Sequence, residues 1–242
     1  MVAFTNMAEN NANKELLFGK FTHVIFDMDG LLLDTERIYT EVMDRVALKY
    51  GSEFNWEIKV KMMGRPGKKG AEMAVELMKL PITPDEFLVE MGVHKDELFA
   101  TAKLLPGAER LVRHLKNHNI SIAVASGSAT KDYKTKTTNH GDFFKLFPII
   151  ILGDNPDIKH GKPAPDQFIL TSSKFPDSPK PENVLVFEDS PNGVLAAKAA
   201  GMGVVLVPDS RLDHSLYHEP THFLSSLEDF QPEQFGLPPY DS

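Results

Sequence analysis

The stretch Val24-Ile25-Phe26-Asp27-Met28-Asp29-Gly30 decides the architecture. Two β-branched residues and a phenylalanine make a short buried strand, and the aspartates with a glycine end it in a turn. The strand therefore carries carboxylates at its tip. Further apolar runs of the same kind occupy Ile120 to Ala125, Ile149 to Leu152, Val184 to Phe187 and Val204 to Val207. Between the later ones lie helical patterns over Pro106 to His118, Pro165 to Lys174 and Pro191 to Ala200, each opening with a proline suited to a first helical turn. Ser190 can cap the last of these, and Gly201 can stop it. Strands alternating with helices indicate an α/β fold with a buried parallel sheet.

Residues 35–103 break this rhythm. They contain no convincing strand and at least three helical patterns, the first placing Ile38, Val42 and Val46 on one face until Gly51 stops it. A crossover between parallel strands needs only about a dozen residues. The excess length predicts a helical cap over 35–103, inserted into a core formed by 21–34 and 104–242. Leu105-Pro106-Gly107 marks the return to the core, and residues 1–20 read as a floppy lead-in.

Composition narrows the function classes. The 242 residues are 42% hydrophobic and 25% charged, an ordinary globular balance. A net charge of −8 argues against nucleic acid or anionic lipid as partners. No cysteine is present, which removes disulfides, thiolate zinc sites and a cysteine nucleophile. The nine histidines form no HxH or HExxH pattern. No apolar run is long enough to span a bilayer, and the N-terminus resembles neither a secretory signal nor a transit peptide. The expectation is a cytoplasmic enzyme, monomeric because no long exposed apolar seam is visible.

Ligands of parallel sheets bind beyond the carboxyl ends of the strands. Asp27 and Asp29 follow the first strand, Ser126 the second, and Glu188 and Asp189 the fourth; Lys162 stands in Gly161-Lys162-Pro163 after the third. Asp154 also follows the third strand, where either a turn or a contact behind the site fits. Taken singly, each signal is bland: Asp-x-Asp is usually a solvated turn and a serine after a strand usually a cap. Their appearance together, in order, at the ends of one sheet is what points to chemistry. Crowded carboxylates need a cation, and an all-oxygen site favours magnesium. The ion, Lys162 and the Ser126 hydroxyl, with backbone N–H groups such as that of Gly127, would hold a phosphoryl group. Asp27 can then attack phosphorus, while Asp29 protonates the leaving alkoxide and later deprotonates water.

These motifs resemble the haloacid dehalogenase-like hydrolases over nearly the whole chain. Asp27-Met28-Asp29-Gly30 is similar to the first motif, Ser126 to the second, Lys162 to the third and Glu188-Asp189 to the fourth. The resemblance implies a Rossmann-like core with a small helical cap, a magnesium cofactor and an aspartyl-phosphate intermediate. It implies that Mg2+ contacts the Asp27 side chain, the Asp29 main-chain carbonyl and Asp189, with Glu188 close by. Asp29 itself separates phosphatases and phosphomutases from dehalogenases, which lack it. The segments FDMDGLLLDTE, GKPAPD and LVFEDSPNGV resemble the eukaryotic pseudouridine-5′-phosphatase and glycerol-phosphatase group. The expected substrate is therefore a small phosphorylated metabolite, pseudouridine 5′-phosphate first and glycerol phosphate second. A sugar phosphomutase and a catalytically silent binding protein are the remaining readings. In the cap, Arg65, Lys68 and Lys69 are the candidate substrate contacts, although paired lysines are also what a solvated face looks like.

Overall fold

A computed structural model describes residues 16–62 and 67–241. The expected parallel sheet is present and has a sixth strand. It comprises β1 (His23–Phe26), β2 (Ser121–Ser126), β3 (Ile149–Leu152), β4 (Val184–Glu188), β5 (Gly203–Leu206) and β6 (His222–Phe223), in the order β3-β2-β1-β4-β5-β6. Every neighbouring pair is parallel. At two residues and half exposed, β6 carries no apolar run for sequence reasoning to find.

The chain leaves β1 towards β2 on one side and returns to β4 on the other, so β1 and β4 flank the point where strand order reverses. Side chains alternate across the sheet as the pleat requires. Val24, Phe26, Ile122, Val124, Leu185 and Phe187 pack on one face with α5 (Ala108–Asn117) and the C-terminal residues Leu227, Phe230 and Phe235. Ile25, Ala123, Ala125, Val184 and Val186 pack on the other with α8 (Asp166–Ser173) and α9 (Pro191–Ala199). Fully burying each Val, Leu, Ile or Phe contributes roughly 1.5–3 kcal/mol over leaving it exposed. Both faces are covered, which is why the strands read as continuous apolar runs. Ser190 accepts a hydrogen bond from the Gly193 N–H at 3.1 Å and caps α9 as expected.

Between β1 and α5 the described residues form α1 (Thr35–Lys49), α2 (Trp56–Met62), α3 (Gly67–Met78) and α4 (Pro84–Leu98). They bury an apolar cluster of their own, including Ile38, Val42, Val46, Ala74, Phe87 and Phe99. Helix α4 begins with a reciprocal capping box between Thr83 and Glu86. Two helices absent from the sequence expectation, α6 (Thr130–Lys136) and α7 (Gly141–Phe144), lie between β2 and β3. The sequence of α6, TKDYKTK, has no apolar stripe, so periodicity could not reveal it.

Most of the stretch read as a lead-in, residues 1–15, lies outside the described residues. Beyond it, the N–H groups of Leu17 and Phe18 both donate to the Gln234 carbonyl at 3.1 Å, and Phe18 stacks on Phe235. Among the described residues no helix is long and apolar enough to cross a membrane.

Candidate active site

Register brings the strand tips together. Phe26 is paired with Val124 on one side and Phe187 on the other. Asp27 and Glu188 are each the next residue, and Ser126 ends β2. The Asp27 N–H donates to the Phe187 carbonyl at 2.9 Å, carrying the ladder one step beyond β1. Gly30 holds the following turn at φ +77°, and its N–H donates to Thr35 Oγ1 at 3.2 Å. A Cβ at position 30 would lie 2.1 Å from Asp189 Oδ2, so only glycine fits there.

Lys162 links the acids. Its Nζ lies 2.5 Å from Asp27 Oδ1, 2.6 Å from Glu188 Oε1 and 3.2 Å from the Ala125 carbonyl. The peptide bond after it, to Pro163, is cis. Glu188 is wholly buried, and its Oε2 accepts from Ser190 Oγ at 3.1 Å. Burial pushes the Asp27 carboxyl up to about 7, with Glu188 and Asp29 adding to the rise and Lys162 opposing it. Asp189 is raised well above the ordinary carboxylate range by burial and by the anions of Asp27, Glu188 and Glu36. Among the described residues Asp189 makes no ion pair. Burial disfavours the Lys162 ammonium, but Asp27 and Glu188 outweigh it and raise its pKa. Asp27, Glu188 and Asp189 thus form an all-oxygen donor set short of positive charge, the chemistry that suits a hard divalent cation.

Asp29 is held differently. Its Oδ2 accepts from Ser126 Oγ at 3.1 Å and Ser128 Oγ at 2.7 Å, and its Oδ1 lies 2.5 Å from Lys136 Nζ. Burial opposes its ionisation, yet Lys136, Ser128 and Thr35 together hold its carboxyl below the ordinary value. Two carboxylates two residues apart therefore sit in opposite environments in the metal-free protein, one resisting its charge and one favoured in it.

The candidates named from sequence divide into two sets. Asp27, Asp29, Ser126, Lys162, Glu188 and Asp189 gather at one mouth, and Gly127 follows Ser126 in the same turn. Lys68 and Lys69 stand exposed on α3, Lys68 lying 3.7 Å from Asp85. Arg65 lies outside the described residues. Asp154 accepts from the Thr130 N–H at 2.9 Å and its hydroxyl at 3.0 Å, capping the start of α6 from the neighbouring loop.

Beside Gly30 and Asp189 opens a cleft of about 770 Å³ between α1, α2 and the loops after β5 and β6. Its polar lining includes Glu36, Arg37, Thr40, Lys59 and Arg211. Lys59 is buried, donating to Thr40 Oγ1 at 2.9 Å and pairing with Glu36 Oε2 at 3.0 Å. The Arg211 guanidinium stacks 4.1 Å from the Trp56 ring, joining α2 to the loop after β5. Sequence reasoning passed over Lys59, Arg211 and Lys136. The first two lie in unremarkable polar stretches, and Lys136 ends a short polar helix where a lysine normally points to water.

A parallel sheet with an Asp-x-Asp tip, a strand-end serine, a bridging lysine and a terminal acid pair defines a class of hydrolase. The family model for haloacid dehalogenase-like hydrolases matches residues 21–201, and the chain belongs to that family. It is 47% identical over 226 residues to (DL)-glycerol-3-phosphatase 2 of Arabidopsis thaliana, covering 92% of this chain and 94% of that one. It is 44% identical over 230 residues to a Drosophila melanogaster protein named "Probable pseudouridine-5'-phosphatase", covering 95% and 99%. Among solved structures, a HAD hydrolase of family IA, variant 3, from Entamoeba histolytica shares the fold. Its TM-score is 0.75 at 21% identity, over 89% of this chain and 98% of that one.

Proposed function

We propose that this phosphoric monoester hydrolase transfers phosphate from a small metabolite to Asp27 and then to water, with pseudouridine 5′-phosphate as the first substrate and glycerol 3-phosphate as the alternative. The observation that carries the reading is the placement of Lys162 between Asp27 and Glu188. A lysine so anchored presents fixed positive charge beside the attacking carboxylate, where phosphoryl oxygens must come.

Asp27, the main-chain carbonyl of Asp29 and Asp189 would hold Mg2+, with Glu188 behind them. The ion would supply neutralisation of the phosphoryl oxygens and of the nucleophile. Asp27 attacks phosphorus as the ester oxygen departs with a proton from Asp29. In the second half, Asp29 takes a proton from the water that attacks the aspartyl-phosphate. Ser126 fixes Asp29 from one side and, with the turn at Gly127, faces the phosphoryl group.

The helical unit over 35–103 acts as the cap, and the leaving group lies in the cleft between it and the core. Lys59, Arg37 and Arg211 are the basic groups along that path. The cleft has room for a nucleoside as well as for glycerol, and the names of both relatives are consistent with one of these two leaving groups.

The test is phosphate release with Mg2+ from the two esters side by side, comparing kcat/KM. Pseudouridine 5′-phosphate is expected to be the better substrate, and Asp27→Asn to abolish turnover of both. Full activity in Asp27→Asn would refute the nucleophile assignment. Preference for glycerol 3-phosphate would exchange the order of the substrates and leave the chemistry standing.

A further inference from the structure

Arg110 and His114 on α5, and His118 at its C-cap, follow one another at intervals of four residues and so share one face. The last residues of the chain lie along that face. The Arg110 guanidinium stands 4.4 Å from the Tyr240 ring, and the His114 ring lies 4.6 Å from it. One turn further on, His118 Nε2 is 3.8 Å from Asp241 Oδ1. One nitrogen of each imidazole and one Asp241 oxygen lie within 4.8 Å of one another.

The backbone orients both rings. His114 Nε2 lies 2.9 Å from the Pro238 carbonyl, and His118 Nδ1 lies 3.0 Å from the His114 carbonyl. A carbonyl only accepts, so each of these nitrogens carries the hydrogen of its neutral ring. His114 Nδ1 and His118 Nε2 are left with lone pairs. An imidazole whose other N–H is committed to a carbonyl is the form in which histidines hold metal ions. The lone pair of His118 Nε2 also faces the Asp241 carboxylate, and two acceptors so placed call for a cation or a proton between them.

We propose that His114, His118 and Asp241 bind a transition-metal dication, Zn2+ by their chemistry, which fastens the end of the chain to α5. Two imidazoles and a carboxylate, with water completing the shell, suit Zn2+, whereas Mg2+ prefers oxygen donors. His114 is buried, but the side chains of His118 and Asp241 are 30% and 85% exposed, so an ion can enter from solvent and Asp241 can close on it. The site is remote from the catalytic mouth. Residue 118 precedes the start of β2 at Ser121, at the sheet edge opposite the strand tips that carry Asp27 and Ser126. Nothing in it depends on the reaction proposed above.

The experiment titrates Zn2+ calorimetrically into the chelator-stripped full chain in excess Mg2+, which occupies the acids of the mouth. The parent should bind one Zn2+ per chain at micromolar concentration. His118→Ala should abolish this binding. Asp241→Ala should weaken it by at least about 10-fold, since partners behind the ligands are themselves worth about 10–100-fold. Zn2+ should raise the melting temperature of the parent and leave that of His118→Ala unchanged. Co2+ is the second probe: in a four-coordinate nitrogen–oxygen site it absorbs visible light far more strongly than in an octahedral oxygen site, and His118→Ala should remove that band. Asp241→Ala, at an exposed position, carries the test if His118→Ala does not fold. Unchanged affinity in either variant would assign the ion to the mouth and overturn the proposal. Absence of binding at micromolar Zn2+ would overturn it too, leaving His118 and Asp241 joined by a proton alone.

Discussion

Gly193 passes so close to Glu188 that a Cβ at position 193 would lie 1.8 Å from the carboxyl carbon and about 2 Å from both oxygens. The first turn of α9 is thus fitted against the acid that anchors Lys162. Gly193→Ala must drive the wholly buried Glu188 carboxylate from its place and break its 2.6 Å contact with Lys162. Disrupting a buried ion pair costs roughly 3–5 kcal/mol. The expected outcome is a drop in urea midpoint together with loss of most phosphatase activity. A variant of normal stability and activity would show that Glu188 is dispensable to both.

Asp189 carries the opposite lesson. With Asp27, Glu188 and Glu36 as its electrostatic neighbours, its charge is unfavourable in the metal-free protein. Asp189→Asn should therefore raise the melting temperature of the chelator-treated protein by a few degrees. The same change should remove most of the stabilisation that Mg2+ gives the parent. Thermal shift titrations of both proteins test the two halves together, and undiminished Mg2+ stabilisation in the variant would exclude Asp189 as a ligand.

The raised pKa of Asp27 sets a pH dependence whose sign can be worked out. Unfolded, this carboxyl loses its proton near its ordinary value of 3.8; folded and metal-free, it keeps it until about 7. Between those limits the native state binds the extra proton, so rising pH lowers the contribution of Asp27 to stability, and above about 7 the effect levels off. Asp27→Asn abolishes this dependence. Subtracting the variant's stability-versus-pH curve from the parent's, both in chelator, should leave a decline across that window. The apparent affinity for Mg2+ should rise over the same range as the proton ceases to compete.

Ser190 performs two tasks with one hydroxyl, capping Gly193 N–H and donating to Glu188 Oε2, each at 3.1 Å. Ser190→Ala should cost about 1 kcal/mol for the lost cap. Part of the loss falls on the orientation of Glu188, so kcat should fall more than KM changes. Chemical denaturation and steady-state kinetics on the same preparation separate the two effects.

Much of this is legible in the amino-acid sequence, and the reason is local. A β-branched run that ends in Asp-x-Asp-Gly announces a buried strand with acids at its tip wherever it occurs. Repeated strand tips then imply one edge of one sheet. Ser126, Lys162, Glu188 and Asp189 could be placed there because parallel strands share direction, so their carboxyl ends align. The α9 cap was readable because Ser190-Pro191 is a first-turn signal in itself. By contrast α6, without an apolar stripe, and the two-residue β6 carry no periodic signal, and both escaped notice.

What the amino-acid sequence determined alone is the α/β frame and the acids, hydroxyl and lysine at its strand ends, since these follow from short-range propensity and from the shared direction of parallel strands. Only the tertiary structure decided that Lys136, 107 residues from Asp29, turns inward to grip it, that Asp154 caps a helix, and that Lys59 and Arg211 line the cleft. Lysines at the ends of polar helices look alike in sequence. Whether one is solvated or buried depends on which carboxylate and which rings the packing of distant elements brings within a few ångströms, and that is a property of the folded whole.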